Sequence, residues 1–157
     1  MAKAILDVPH VKQLENYCVP ACLTMVFRYF DHKVNQREIA SFFEHDVKDG
    51  GVESNNEILN CARSRGFVAY AKEKIGLDGI VKHIENGIPL IAVIKYDVER
   101  GVSHTVVVCG YEKKPSAVWV NDPLESRIKM PYEKFANLWR IRRVNDNSNQ
   151  YGIIIHE

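Results

Sequence analysis

The sequence has no long apolar run, no signal-peptide pattern and no excess of charge of either sign. The N-terminus carries an early lysine but no apolar stretch of signal-peptide length, and no later segment approaches the ~20 apolar residues that span a bilayer. The 21 Lys and Arg against 20 Asp and Glu leave a formal charge of +1, so no electrostatic field favours nucleic acid or an anionic membrane. We therefore expect a soluble cytoplasmic protein that binds no nucleic acid and has no membrane segment.

Cysteine and histidine are few and widely spaced. Four cysteines stand at positions 18, 22, 61 and 109, a spacing that matches neither a paired Cys-x-x-Cys zinc site nor a dense disulfide framework. The six histidines form no His-Glu-x-x-His motif, and none lies within two residues of a cysteine. We expect reduced thiols, no metal ion and no cofactor.

The chain does have enough apolar residues for an ordinary core. Its 157 residues are 46% hydrophobic, which predicts one domain spanning residues 1–157. Apolar residues recur at helical spacing in the first half, whereas short β-branched runs bounded by turn residues indicate strands in the second. Helices are predicted near 18–31, at 36–44, 54–66, 77–87 and 131–139, and strands at 67–71, 90–94, 105–109, 117–120 and 153–155, the last after a polar turn at 145–150. This order predicts an α+β fold whose helical N-terminal half packs on a C-terminal antiparallel sheet.

Cys18 stands where the first predicted helix begins. The unpaired N–H groups and the positive end of the dipole at a helix start favour a thiolate over a thiol. The same N–H groups are able to hold the oxyanion of a tetrahedral intermediate, and Pro20 fits the first turn because its missing N–H costs nothing there. The other three cysteines lie at apolar positions and are expected to be buried hydrophobic side chains.

A predicted hairpin brings a base and a carboxylate into the same region. It joins the run from His104 to Tyr111 with the run from Ala117 to Asp122. If residue 108 faces residue 118, then His104 faces Asp122 on the same side of the sheet, within reach for the carboxylate to hold one imidazole nitrogen. A bulge would replace Asp122 by Asn121 as the neighbour of His104.

Cys18, His104 and Asp122 together supply the groups that acyl transfer requires. Each residue alone has an ordinary structural explanation: a buried thiol, a polar strand end and a turn opener. In combination, His104 would take the thiol proton and later protonate the leaving group, while Asp122 fixes the imidazole tautomer.

The chain resembles the bacteriocin-processing, or double-glycine leader, cysteine peptidases, family thirty-nine of the cysteine peptidases. That family has a Gln, a short spacer and Cys-Gly-x-Ala-x-Leu, then a His that opens a hydrophobic strand and an Asp-Pro that ends the next strand. Gln13, Cys18, His104 and Asp122 match this order, and shorter matches lie at 49–51, 86–89, Phe135 and Trp139. The resemblance implies a papain-like fold, a peptide or protein substrate, and a Gln13 side-chain amide that donates to the oxyanion.

The chain departs from the family pattern in two ways. Val19 replaces the usual Gly after the nucleophile and is expected to narrow the mouth of the site without removing a catalytic group. The family is often the front domain of a peptide exporter, whereas this sequence has no membrane-spanning run and no nucleotide-binding loop. A freestanding relative need not cut double-glycine leaders.

Four functions remain for comparison at this point. The leading hypothesis is a peptidase that cuts an extended peptide after small or Gly residues through a thioester acyl-enzyme. The same triad also serves a glutamine deamidase or an acyltransferase, and a papain-like cleft can bind peptides without chemistry. A redox role for Cys18 and Cys22 is disfavoured because their spacing is not the Cys-x-x-Cys arrangement.

Overall fold

The computed structural model describes residues 2–44, 54–97, 102–139 and 150–157. The match at 49–51 lies outside the described residues, as does all but the last residue of the polar turn predicted at 145–150. Within the described ranges no helix combines the length and the apolarity needed to cross a membrane.

The described residues contain five helices, and side-chain caps fix the start of two of them. The Asn35 side chain accepts a hydrogen bond from the Glu38 backbone N–H, and the Ser54 side chain accepts one from the Glu57 N–H, as the capping-box spacing predicts. The helices are α1 (Cys18–Tyr29), α2 (Gln36–Phe42), α3 (Asn55–Ser64), α4 (Gly76–Glu85) and α5 (Tyr132–Leu138). Each predicted helix is therefore present, with ends that differ by a few residues.

The described residues also contain seven strands, which form one antiparallel sheet. They are β1 (Lys3–Ile5), β2 (Val68–Lys72), β3 (Leu90–Asp97), β4 (Val102–Lys113), β5 (Ser116–Asn121), β6 (Arg127–Pro131) and β7 (Gly152–His156). Their order is β2-β7-β3-β4-β5-β6, and β1 pairs with the end of β4 that lies beyond β3. The α+β class is confirmed, while β1 and β6 are strands that the sequence patterns did not predict.

Both faces of the sheet are covered by helices. One core cluster joins residues of α1, α2 and α3 to Ile91, Val107 and Ile153 of the sheet. The second joins residues of α4, together with Phe135 and Trp139, to the opposite face. The helical half thus packs on the sheet as predicted, except that α4 lies on the other face from the three helices before it.

A bulge at Cys109 sets the register of the β4–β5 hairpin. Val108 faces Val120, but Gly110 faces Trp119, so Cys109 is an extra residue on β4. The predicted pairing of residue 108 with 118 is therefore wrong by two residues. Gly110 is required beside the bulge because β1 passes closely there, and an added Cβ would lie 2.8 Å from the Ala4 carbonyl oxygen.

The bulge decides which side chains of the hairpin share a face. Continuing the Val108–Val120 register places Val106 opposite Asp122, so His104 is a diagonal neighbour of Asp122 on the same face. Without the extra residue, the pairing near the turn would place Asp122 and His104 on opposite faces of the sheet.

Candidate active site

Cys18 is the first residue of α1, and the N-terminus of that helix is left uncapped. The cap residue is Tyr17, no side chain caps the helix, and the first turn holds no acidic residue. Pro20 has no N–H, and the first hydrogen bond along the helix runs from the Ala21 N–H to the Tyr17 carbonyl. The Cys18 and Val19 N–H groups therefore precede the first helical hydrogen bond, next to a partly exposed thiol.

His104 and Asp122 form a buried hydrogen-bonded pair. Nε2 of His104 lies 2.7 Å from Oδ1 of Asp122, and the two residues are 5% and 9% exposed. The same Oδ1 accepts the Leu124 N–H at 2.9 Å, which fixes the carboxylate within its own turn. His104 and Cys18 are close enough that each favours the charged form of the other.

Their surroundings favour a thiolate paired with an imidazolium. Burial alone would lower the pKa of His104, but the hydrogen bonds and charges of Asp122 and Cys18 outweigh it and raise that pKa to about 9. Burial likewise raises the pKa of Cys18, yet the contact with His104 brings the net pKa of the thiol below its ordinary value. Burial raises the pKa of Asp122, but the hydrogen bonds of His104 and the Leu124 N–H, together with the charge of His104, lower it overall.

Thr105 is a part of the site that the sequence did not single out. It is 5% exposed, and its backbone and its side chain both act to lower the pKa of the Cys18 thiol. Its carbonyl accepts a hydrogen bond from Sγ of Cys22 at 3.3 Å. In the sequence, its only distinguishing feature is that it directly follows His104. Neighbouring residues of a strand face opposite sides, so this position alone does not place Thr105 in the site.

The remaining cysteines are unactivated thiols. Burial raises the pKa of Cys22 well above the ordinary value, and it raises those of Cys61 and Cys109 to about 11. This agrees with their expected role as buried hydrophobic side chains.

Gln13 is tied to the turn that carries Asp122. Its backbone N–H donates to the Pro123 carbonyl at 2.8 Å, and Nε2 donates to the Leu14 carbonyl at 3.3 Å. Oε1 is buried and has no hydrogen-bond partner within the described part of the chain. Nε2 carries two hydrogens, so one remains available after the hydrogen bond to Leu14. The buried oxygen without a hydrogen-bond partner requires an explanation, and a functional role of the amide provides one.

Two further residues lie away from the reacting groups. Asn121, the alternative partner of His104, is fully buried, donates to the Val8 carbonyl at 3.0 Å and accepts from Nε of Arg127 at 3.0 Å. Val19 is 3% exposed and belongs to the core cluster beneath α1, so its side chain packs inward and does not line an exposed mouth.

Most of the chain matches the model of a known protein family. The family model described as Peptidase_C39 like matches residues 5–146 of the chain. The chain belongs to the Peptidase_C39 like family. None of the curated proteins compared with this C39-like chain matches it.

Solved structures share the fold of this family member. A double glycine motif protease from an AMS/PCAT transporter, in complex with the leader peptide, is 23% identical, with a TM-score of 0.67 over 97% of this chain and 93% of that one. A Bacillus anthracis protein described as a C39-like peptidase is 21% identical, with a TM-score of 0.72 over 99% and 98% of the two chains. The peptidase domain of Streptococcus ComA, described as a bi-functional ABC transporter involved in quorum sensing, is 17% identical, with a TM-score of 0.69 over 94% and 97%. The C39-like chain therefore has the papain-like α+β fold, and its family is one of cysteine peptidases.

Proposed function

We propose that this chain hydrolyses peptide bonds through a thioester acyl-enzyme formed on Cys18. The observation that carries the proposal is the position of Cys18 at the uncapped start of α1 and beside His104, whose Nε2 is hydrogen-bonded to Oδ1 of Asp122 at 2.7 Å. Membership of a cysteine peptidase family supports the same chemistry.

In the first half-reaction the Cys18 thiolate attacks the scissile carbonyl carbon, and a C–S bond forms as the carbonyl electrons move to oxygen. When the tetrahedral intermediate collapses, the C–N bond breaks and the His104 imidazolium gives its proton to the leaving amine. In the second half-reaction, water attacks the thioester while His104 takes its proton. The second tetrahedral intermediate collapses as the C–S bond breaks with its electron pair going to sulfur, which releases the acid product and returns Cys18 as the thiolate.

The oxyanion is proposed to be held by the Gln13 amide and by N–H groups at the start of α1. Both donors are rigidly placed: Gln13 by its backbone bond to Pro123, and the N–H groups by the helix itself. Donors fixed in this way lose little reorganisation energy as charge develops on the oxygen.

The proposed substrate is an extended peptide with Gly or other small residues before the cut. Support comes from the family and from the fold likeness to a double glycine motif protease whose structure includes a leader peptide. A glutamine deamidase or acyltransferase would use the same acyl-enzyme, so the test must score those products as well.

The test is mass spectrometry of a peptide library incubated with wild-type protein, Cys18→Ala and the control Cys61→Ala, which removes a buried thiol in α3. We expect peptide cleavage by the wild type and by Cys61→Ala, and none by Cys18→Ala. A gain of about one dalton at glutamine without cleavage would assign the site to deamidation instead. The absence of every product would favour a peptide-binding module and overturn the proposal.

A further inference from the structure

Gln36, the first residue of α2, holds the backbone on both sides of Gln13. Its Oε1 accepts the Leu14 N–H at 3.0 Å, and its Nε2 donates to the Lys12 carbonyl at 2.8 Å. One side-chain amide thus uses its donor and its acceptor on the two peptide groups that flank Gln13. The contact is long-range, because Gln36 lies 24 residues after Lys12.

The segment between β1 and α1 needs such external support. It contains no helix or strand that could fix its backbone through regular pairing. The Gln13 N–H is bound to the Pro123 carbonyl at 2.8 Å, and among the residues that the structure describes the Gln13 side chain makes one hydrogen bond, from Nε2 to the neighbouring Leu14 carbonyl. The direction of the Gln13 amide is therefore set mainly by the backbone that carries it.

The Gln36 side chain is itself attached to a well-anchored point. Asn35 caps the start of α2: the Glu38 N–H donates to Oδ1 of Asn35 at 3.0 Å, and Nδ2 of Asn35 donates to Oε1 of Glu38 at 2.8 Å. These two hydrogen bonds fix the helix end from which Gln36 reaches the segment.

We propose that Gln36 is a positioning residue for the oxyanion-binding amide of Gln13. The inference rests on the proposed function. Gln36 touches no reacting atom, and its effect passes through the placement of Gln13. It should therefore change how well the transition state is held, with little change in substrate binding or in the reactivity of the Cys18 thiolate.

A double-mutant cycle tests this dependence, with a library peptide that the wild type cleaves as substrate. Gln13→Ala is expected to lower kcat about 10²- to 10³-fold, the range for loss of one oxyanion donor. Gln36→Ala is expected to lower kcat about 10- to 100-fold, the range for misplacement of a catalytic group, with KM nearly unchanged. In the Gln13→Ala background, Gln36→Ala should cost nothing further, because the group it positions is gone.

Two controls separate positioning from a general loss of structure. Asn86→Ala removes an exposed side-chain amide whose Nδ2 donates to the Lys82 carbonyl at the end of α4 and not to the segment, so kcat should stay near that of the wild type. The rate at which iodoacetamide alkylates Cys18 should be the same in Gln36→Ala as in the wild type, since the thiolate depends on His104.

The outcomes are distinct. The role of Gln36 would be overturned if the kcat losses of the two single variants multiplied in the double variant, or if Gln36→Ala slowed the alkylation of Cys18. Either result would leave the peptidase proposal intact. The absence of any Cys18-dependent product would overturn the proposed function and this inference with it.

Discussion

Replacing Asp122 by Asn should lower the pKa of His104. The carboxylate lies 2.7 Å from Nε2, with both groups nearly excluded from solvent, so the contact is a charge-assisted hydrogen bond of about 1.5–3 kcal/mol. Each pKa unit corresponds to about 1.4 kcal/mol, so losing the charge should lower the pKa by about 1–2 units. From its value of about 9, the pKa of His104 should fall to between about 7 and 8.

The sign of the pH effect follows from the role proposed for His104. The imidazolium is the form that protonates the leaving amine, so activity is lost as pH rises through the pKa of His104. Asp122→Asn should therefore move the alkaline limb of the kcat/KM profile to lower pH. The loss should be greater at pH 8.5 than at pH 6.5.

The assay is an NMR titration of the histidine Cε1–H signals, in which the His104→Gln variant assigns the signal of interest. Glu125→Gln is the matched control, because it removes one carboxylate from the same turn at an exposed position. Titration of His104 near 9 in Asp122→Asn would refute the reasoning. An equal fall in Glu125→Gln would show a general charge effect instead of the specific hydrogen bond.

Three further predictions follow from the thiol environments and from the path of β1. Iodoacetamide at neutral pH should label Cys18 at least tenfold faster than the other three cysteines, as measured by peptide mapping; equal rates would contradict the thiolate assignment. Thr105→Val keeps the side-chain volume but removes the hydroxyl, so labelling of Cys18 at pH 6 should slow by about two- to tenfold, as expected for one hydrogen bond; an unchanged rate would mean that the hydroxyl does not stabilise the thiolate. Gly110→Ala should lower the free energy of unfolding by about 1–3 kcal/mol in urea titrations, because the new methyl group meets the Ala4 carbonyl oxygen; an unchanged unfolding midpoint would show that β1 moves aside freely.

The start of α1 and the fold class could be predicted because their signals are local. The apolar stripe after Cys18 and the change from helical to strand spacing require no knowledge of distant contacts. The sequence also indicated the contact between His104 and Asp122, but for an incorrect reason: a direct cross-strand pair was expected, and a diagonal pair is observed.

Other parts of the site depend on contacts between distant segments. The Cys109 bulge lies inside a continuous apolar run, so nothing in that run distinguishes an extra residue from a paired one. The packed core brings Gln36 to the segment around Gln13, where it forms two hydrogen bonds. It also brings Thr105 to Cys18, where Thr105 lowers the pKa of the thiol. Patterns within a single sequence do not show which distant segments of the chain come into contact.

The bulge also constrains how this hairpin can change in evolution. Two residues separate the last pair of the hairpin, Lys113 and Ser116, and in an unbulged hairpin such a turn would place His104 and Asp122 on opposite faces. A homologue with the same number of residues between this His and Asp but without the bulge would therefore need one more residue in its turn to keep the two side chains together. Among active relatives, insertions and deletions should therefore change the number of residues between this His and Asp by two at a time. A single-residue change should be accompanied by loss or gain of a bulge.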